Sequence, residues 1–496
     1  MKKKLKTTLL SSAMPVGLSV LVSFGMVSIA NAQTAPEGTP PAEPASNAKA
    51  NNNAVPDQAN AAPTGFWERS TLFGDMGGLR PWLGQYGVSL ALQETSEYLG
   101  NLTGGTRRGG AYDGLTQLAV GVDLEKAIGL TGGSFNVSAL QIHGTSLTQR
   151  NLQTLQPASG IEADATTRLW ELWYQQTLFG GKADVKIGQQ SLDQEFMVSQ
   201  NAVPFINATF GWPALPSVDM PAGGPAYPLA SLGARVRVKP SDAWTVLAGV
   251  FDGNPAGSNT GDPQQQNAHG TNFNLHNGAL FIGEVQYALN PPPANPADQT
   301  ASSGLPGTYK LGFWYNTQHF ADQRFDNTGR SLADPASTGI PQSHTGNYSL
   351  YAVADQMVWR PSAESPRSVN VFARVMGAPG DRNLIDLGVN AGVTLKAPFN
   401  GRDNDIAGLA VGYAKIGSHA QDLASDKAAL TTPGYPSRSA ETVIEATYQC
   451  QLTPWWILQA DAQYFFRPSG GIPQPDNASS RIGNEFVVGV RTNITF

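Results

Sequence analysis

The chain has 496 residues, a formal net charge of −6 and a single cysteine, Cys450. The acidic balance argues against nucleic acid, whose phosphates demand clustered Lys and Arg, and a lone cysteine excludes an internal disulfide. Beyond Ile29 no apolar run reaches the length of a membrane helix, so residence in a membrane would require a closed sheet that pairs every backbone group.

At the amino end, Lys2, Lys3, Lys4 and Lys6 precede an apolar run from Leu9 to Ile29 and the small-x-small site Ala30-Asn31-Ala32. This pattern predicts a cleaved signal peptide over 1–32, leaving a mature chain with a net charge of −10. Residues 33–63 are rich in Ala, Pro and Asn, too poor in large apolar side chains to bury a core, and read as a disordered leader. Over 64–87, Leu79, Trp82 and Leu83 share one helical face after Asp75. A short helix is expected there, ending near Gly84 or Gly87, on the periplasmic side before the first strand.

From Val88 the hydrophobic period becomes two. Leu118, Val120, Val122 and Leu124 alternate with Gln117, Ala119, Gly121 and Asp123, and Leu232, Ala234, Val236 and Val238 with Gly233, Arg235, Arg237 and Lys239. Side chains two apart share a face of a strand, so each such segment has an apolar and a more polar side. About sixteen segments of this kind run from 88–98 to 483–496, often with aromatics at the ends of the apolar face. Short joints (179–182, 239–242, 452–454) contrast with long Gly/Asn/Pro-rich ones (253–277, 320–346, 416–438, 467–482). The fold class is therefore all-β: a transmembrane antiparallel β-barrel over 88–496, with short periplasmic turns, long external loops and an aqueous lumen. The last strand ends on Phe496; its even row from Phe486 would meet lipid, and its odd row would turn Arg491 and Asn493 toward water.

The stretch 191–228 lacks clean alternation and is apolar and proline-rich, which suits a loop folded into the lumen; a loop packed outside on its neighbours is the alternative. A pore for uncharged polyols needs hydrogen-bonding groups of both signs beside an aromatic surface. Candidate residues at such a constriction are Arg168, Glu171, Glu195, Trp212, Arg235 and Arg237. Arg168 and Glu171 have opposite parity, so both can face the lumen only if the strand carries a bulge. Trp170 and Trp173 fit lipid-interface anchors equally well. Catalytic, metal and cofactor signatures are missing: there is no His-Glu-x-x-His, no Gly-x-Ser-x-Gly and no phosphate-cradling glycine loop, and the six histidines are scattered.

Several runs together resemble the carbohydrate-selective porins of the OprB type. They include Leu72-Phe-Gly-Asp-Met-Gly-Gly-Leu-Arg80, Gly100-Asn-Leu-Thr-Gly-Gly105, Glu171-Leu-Trp-Tyr174 and Lys186-Ile-Gly-Gln-Gln190 leading to Glu195-Phe196. Arg402-Asp-Asn-Asp405 before Gly408-Leu-Ala-Val-Gly-Tyr413, Glu441-x-x-x-Glu445, Gln463-Tyr464 and Pro468-Ser-Gly-Gly471 continue the match to Phe496 in the same order. The sequence departs from the family at Met76, where a tryptophan is expected. The resemblance implies a sixteen-stranded outer-membrane barrel of a Gram-negative-type bacterium, passing glucose and other small sugars without cofactor or catalysis. Expected partners are small sugars, outer-membrane lipid and the barrel-assembly machinery acting on the strand that ends in Phe496. Monomer and trimer both remain open. Alternatives are a porin for other small solutes, such as organic acids, or a secreted β-rich sugar-binding protein.

Overall fold

The period-two segments form one continuous wall. The structure is a computed structural model that describes residues 65–257, 261–291 and 304–496; the expected signal peptide and leader lie outside these residues. Helix α1 (Leu79–Gln85) precedes strands β1 (Val88–Gly105), β2 (Gly109–Asp123), β3 (Gly133–Gly144), β4 (Thr166–Leu178) and β5 (Ala183–Gln190). There follow β6 (Ser231–Ser241), β7 (Trp244–Asp252), β8 (Ala279–Leu289), β9 (Gly307–Asp326) and β10 (Pro341–Trp359). The series ends with β11 (Ser368–Gly377), β12 (Ile385–Lys396), β13 (Ile406–Ile416), β14 (Ala440–Thr453), β15 (Trp456–Phe466) and a closing strand, Gly483–Thr495. Each barrel strand pairs antiparallel with its sequence neighbour, and the closing strand returns to β1 in the register Glu97↔Arg491. Sixteen strands close the barrel, as the alternation predicts, and closure leaves no wall edge to aggregate.

The register confirms which rows face out. Leu311, Leu350, Val375, Leu409 and Val490 stand exposed on the outer surface, where lipid replaces water as the apolar solvent. On the closing strand the odd row turns inward: Arg491 Nε donates to Glu97 Oε2 at 2.6 Å, and Thr95 Oγ1 donates to Asn493 Oδ1 at 2.7 Å. At the end with short turns, the segment before β1 packs against the chain terminus. Leu72 N donates to Thr495 O at 2.8 Å, the Phe73 and Phe496 rings lie 5.2 Å apart, and the Arg80 guanidinium donates to Phe496 O.

The interior is asymmetric. On β7 to β12 the inward rows include Leu247, Phe251, Ile282, Trp314, Tyr351 and Met376, all buried against Phe196, Met197, Leu215 and Met220 of the β5–β6 connection. The β1–β6 half instead presents Gln93, Thr95, Ser138, Gln175, Lys186 and Arg235 to open space. An apolar wall covered by an apolar connection excludes water, whereas a polar wall remains solvated. This division locates the open space.

Candidate functional site

The β5–β6 connection is fastened to the wall through its main chain. Glu284 accepts from Met197 N at 2.8 Å, and Asp355 accepts from Ser199 Oγ at 2.6 Å and Asn201 N at 3.1 Å. Glu445 accepts from Ile206 N at 2.5 Å and Asn207 N at 2.9 Å. Arg374, 1% exposed, supplies the complementary donors to the carbonyls of Met197 (2.8 Å), Thr209 (2.6 Å), Phe210 (3.1 Å) and Gly211 (3.2 Å). Strand side chains thus satisfy the polar backbone of a buried irregular segment, which would otherwise be costly.

Between this segment and the β1–β6 wall lies a cavity of about 1220 Å³. On its wall, β5 and β6 set Lys186↔Arg235 and Asp184↔Arg237 opposite each other. Arg235 pairs with Asp184 and with Glu195, whose Oε2 lies 2.5 Å from Nε; Lys186 also pairs with Glu195. Arg237 Nε donates to Asp184 Oδ2 at 2.7 Å, and Arg235 donates to Gln175 Oε1 at 3.2 Å. Burial alone would raise the Glu195 carboxyl, but Lys186 and Arg235 outweigh it and hold the group at about 2, below its ordinary 4.5.

Beside these charges is an aromatic face. Lys186 Nζ lies 4.5 Å from the centroid of the Trp173 ring, and Trp173 Nε1 donates to Glu171 Oε2 at 3.4 Å. Glu171 Oε1 accepts from Ser191 N at 3.0 Å, at the start of the connection. A bulge makes this arrangement possible. The β3–β4 register slips between Val137↔Leu172 and Ala139↔Leu169, so Trp170 and Glu171 together oppose Ser138. With one extra residue the strand changes parity, and Arg168, Trp170, Glu171 and Trp173 all turn inward. Trp170 and Trp173, 2% and 7% exposed, are therefore not lipid-interface anchors.

The six sequence candidates do not form one group. Glu171, Glu195, Arg235 and Arg237 gather on the cavity wall. Arg168 is buried under the connection, where its guanidinium reaches Pro228 O at 3.5 Å. Trp212 lines the cavity from the connection itself, and its indole N–H donates to Gly223 O at 2.9 Å. Lys186, Asp184, Gln175 and Trp173 join the group without having been sequence candidates. Asp184 and Lys186 alternate with Val185 and Ile187 on β5, so parity alone contained the signal for those two.

Comparisons with known proteins agree with this architecture. The chain matches the family described as carbohydrate-selective porin, OprB family, over residues 107–496. Porin B of Pseudomonas aeruginosa is 28% identical over 450 residues, covering 84% of this chain and 90% of that protein. A putative porin of Acinetobacter baylyi, QuiX, is 24% identical over 439 residues, covering 83% and 92%. In fold, the high-pH structure of Pseudomonas putida OprB superposes with a TM-score of 0.73 at 23% identity, covering 87% of this chain and 100% of that one. The chain belongs to the OprB family of carbohydrate-selective porins and is a sugar-preferring porin of the outer membrane.

Proposed function

We propose that the protein is a passive channel whose selectivity for small neutral sugars, glucose among them, arises where Glu171, Glu195, Arg235 and Arg237 meet Lys186 and the face of Trp173. The observation that carries this reading is the mixed-sign cluster beside Trp173 on the cavity wall. A sugar entering such a section exchanges hydration for paired donors and acceptors. Because cations and anions are matched locally, neither sign of solute gains a large advantage over a neutral polyol. Trp212 bounds the passage from the inserted connection, and Arg168 holds that connection from behind.

In this reading the chain reaches the outer membrane with its segment 1–32 removed, residues 33–63 act as a spacer, and the segment 64–87 lies on the periplasmic side. Outer-membrane lipid surrounds the apolar rows, and the barrel-assembly machinery recognises the strand that ends in Phe496. Purified protein in liposomes should admit monosaccharides faster than charged solutes of similar size. Equal rates would reduce it to a general diffusion pore, and faster entry of small carboxylates would favour an organic-acid channel.

A further inference from the structure

A groove of about 560 Å³ indents the outer surface of the barrel where β1 lies between β2 and the closing strand, near the end opposite the short turns. Register creates it. Gly100 stands opposite Gly110 on one side and Val488 on the other, all on outward rows, so the floor of the groove is main chain where neighbouring positions carry leucine, valine or tyrosine. Tyr98, Leu102 and Val490, each about half exposed, form its sides. The ladder to the closing strand slips between Asn101↔Val487 and Thr103↔Phe486, and Leu102, the extra residue, stands out as a side wall.

The two facing glycines have different explanations. A Cβ at Gly110 would run into the Tyr98 ring, so that glycine makes room for a neighbour. A Cβ at Gly100 would meet only Val488 O, at 3.9 Å. Glycine weakens a strand interior and commonly marks a place where a ligand or another backbone approaches closely; at Gly100 no part of the chain makes that approach. Charge gathers at the outer end of the groove. Arg108 lines it, and Arg107 and Arg150 are exposed at the same end, with Arg107 Nε donating to Arg150 O at 2.9 Å and Arg150 Nη1 to Thr145 Oγ1 at 3.0 Å. Among the described residues none of these three arginines is ion-paired with a carboxylate. From Tyr98 to Tyr112 the chain carries two arginines and no acid.

We infer that the groove seats an acyl chain of a phosphate-bearing glycolipid of the outer leaflet, with a phosphate held by Arg108. The external position of this end follows the membrane orientation proposed above. Continuity accounts for the apolar half: the groove interrupts a wall that lipid tails already cover, and a methylene chain lies along bare main chain between Tyr98, Leu102 and Val490. Charge accounts for the polar half. Tyrosines on an outward row mark the boundary between tails and headgroups, so Arg108, beyond Tyr98 along the hairpin, stands at headgroup depth. Its planar guanidinium offers phosphate oxygens two parallel donors. A sugar headgroup bearing more than one phosphate suits three neighbouring arginines better than a single phosphodiester does.

The test uses the full chain, delipidated in mild detergent and read by native mass spectrometry with diphosphorylated lipid A, phosphatidylglycerol or inorganic phosphate added in turn. Lipid A should form a bound adduct about tenfold or more tighter than phosphatidylglycerol. Gly100→Leu, which fills the floor of the groove, and Arg108→Gln should each weaken that adduct by about tenfold or more, whereas Leu350→Phe on the far wall should leave it unchanged. Monosaccharide entry into liposomes should be the same for all these variants, because the groove lies outside the barrel; a failure of lipid binding is thereby distinguished from a failure of the channel reading. Heat-dependent gel mobility reports folding, and if Gly100→Leu does not fold, Leu102→Ser on the exposed side wall takes its place. The absence of a lipid A adduct, equal binding of phosphatidylglycerol, displacement by an equal concentration of inorganic phosphate, or binding untouched by the groove substitutions would overturn the proposal.

Discussion

Glu195 accepts two cations at once, Lys186 and Arg235, and this sharing fixes its protonation. Its folded value of about 2 lies below the ordinary 4.5, so the ionised form is the favoured one. The stability it contributes is fully present above the ordinary value and is lost as pH falls toward about 2. The difference in ion selectivity between the parent and Glu195→Gln should accordingly stay constant from about pH 8 down to about pH 5, as read from reversal potentials in planar bilayers. A change in that difference near neutrality would count against the shared pairing. The same substitution should shift selectivity toward anions, because two cations lose a common partner. Replacing Arg235 and Arg237 by glutamine should alter conductance and sugar block, and an unchanged pore would place the selective section elsewhere. Parity is enough to orient Arg235 and Arg237, since the alternating Val236 and Val238 suit lipid. It was not enough for Glu171, whose direction depends on a bulge set by the β3 partner, and no pattern within residues 166–178 reveals that slip.

At the scale of elements, the β5–β6 connection behaves as part of the wall. Arg374→Met would keep much of the side chain's volume but leave the carbonyls of Met197, Thr209, Phe210 and Gly211 without their donor. At about 1–3 kcal/mol for each buried orphan, several such losses should loosen the segment while the barrel, stitched by its own ladders, persists. The expected outcome is normal heat-dependent mobility combined with noisier single-channel current and faster protease cleavage between residues 191 and 230. Unchanged current noise and cleavage would show that the carboxylates Glu284, Asp355 and Glu445 suffice. The sequence signal for the covered wall lay in β7 and β8. Leu247, Phe251, Leu280 and Ile282 make these strands apolar on both faces, as strands buried on both sides are. Alternation marks the outward row of these strands but does not distinguish an inward row that is covered from one that is solvated.

For the whole molecule, closure and termini are coupled. Phe496 N donates to Leu92 O at 2.8 Å, and the Phe496 ring rests against Phe73, so the last residue touches both β1 and the segment before it. Deleting Phe496 should reduce the amount of heat-modifiable barrel in the outer membrane severalfold, with unit conductance of the surviving channels unchanged; normal insertion would argue against this role. The sequence by itself determined the number of strands, their order and the rows that face lipid, because period-two patterning and loop length are local properties of the chain. Only the tertiary structure decided which wall is covered, where Glu171 and Trp173 point, and that Glu195 meets Lys186 and Arg235. Those facts depend on register between strands and on contacts between residues far apart in the chain, which no local pattern encodes.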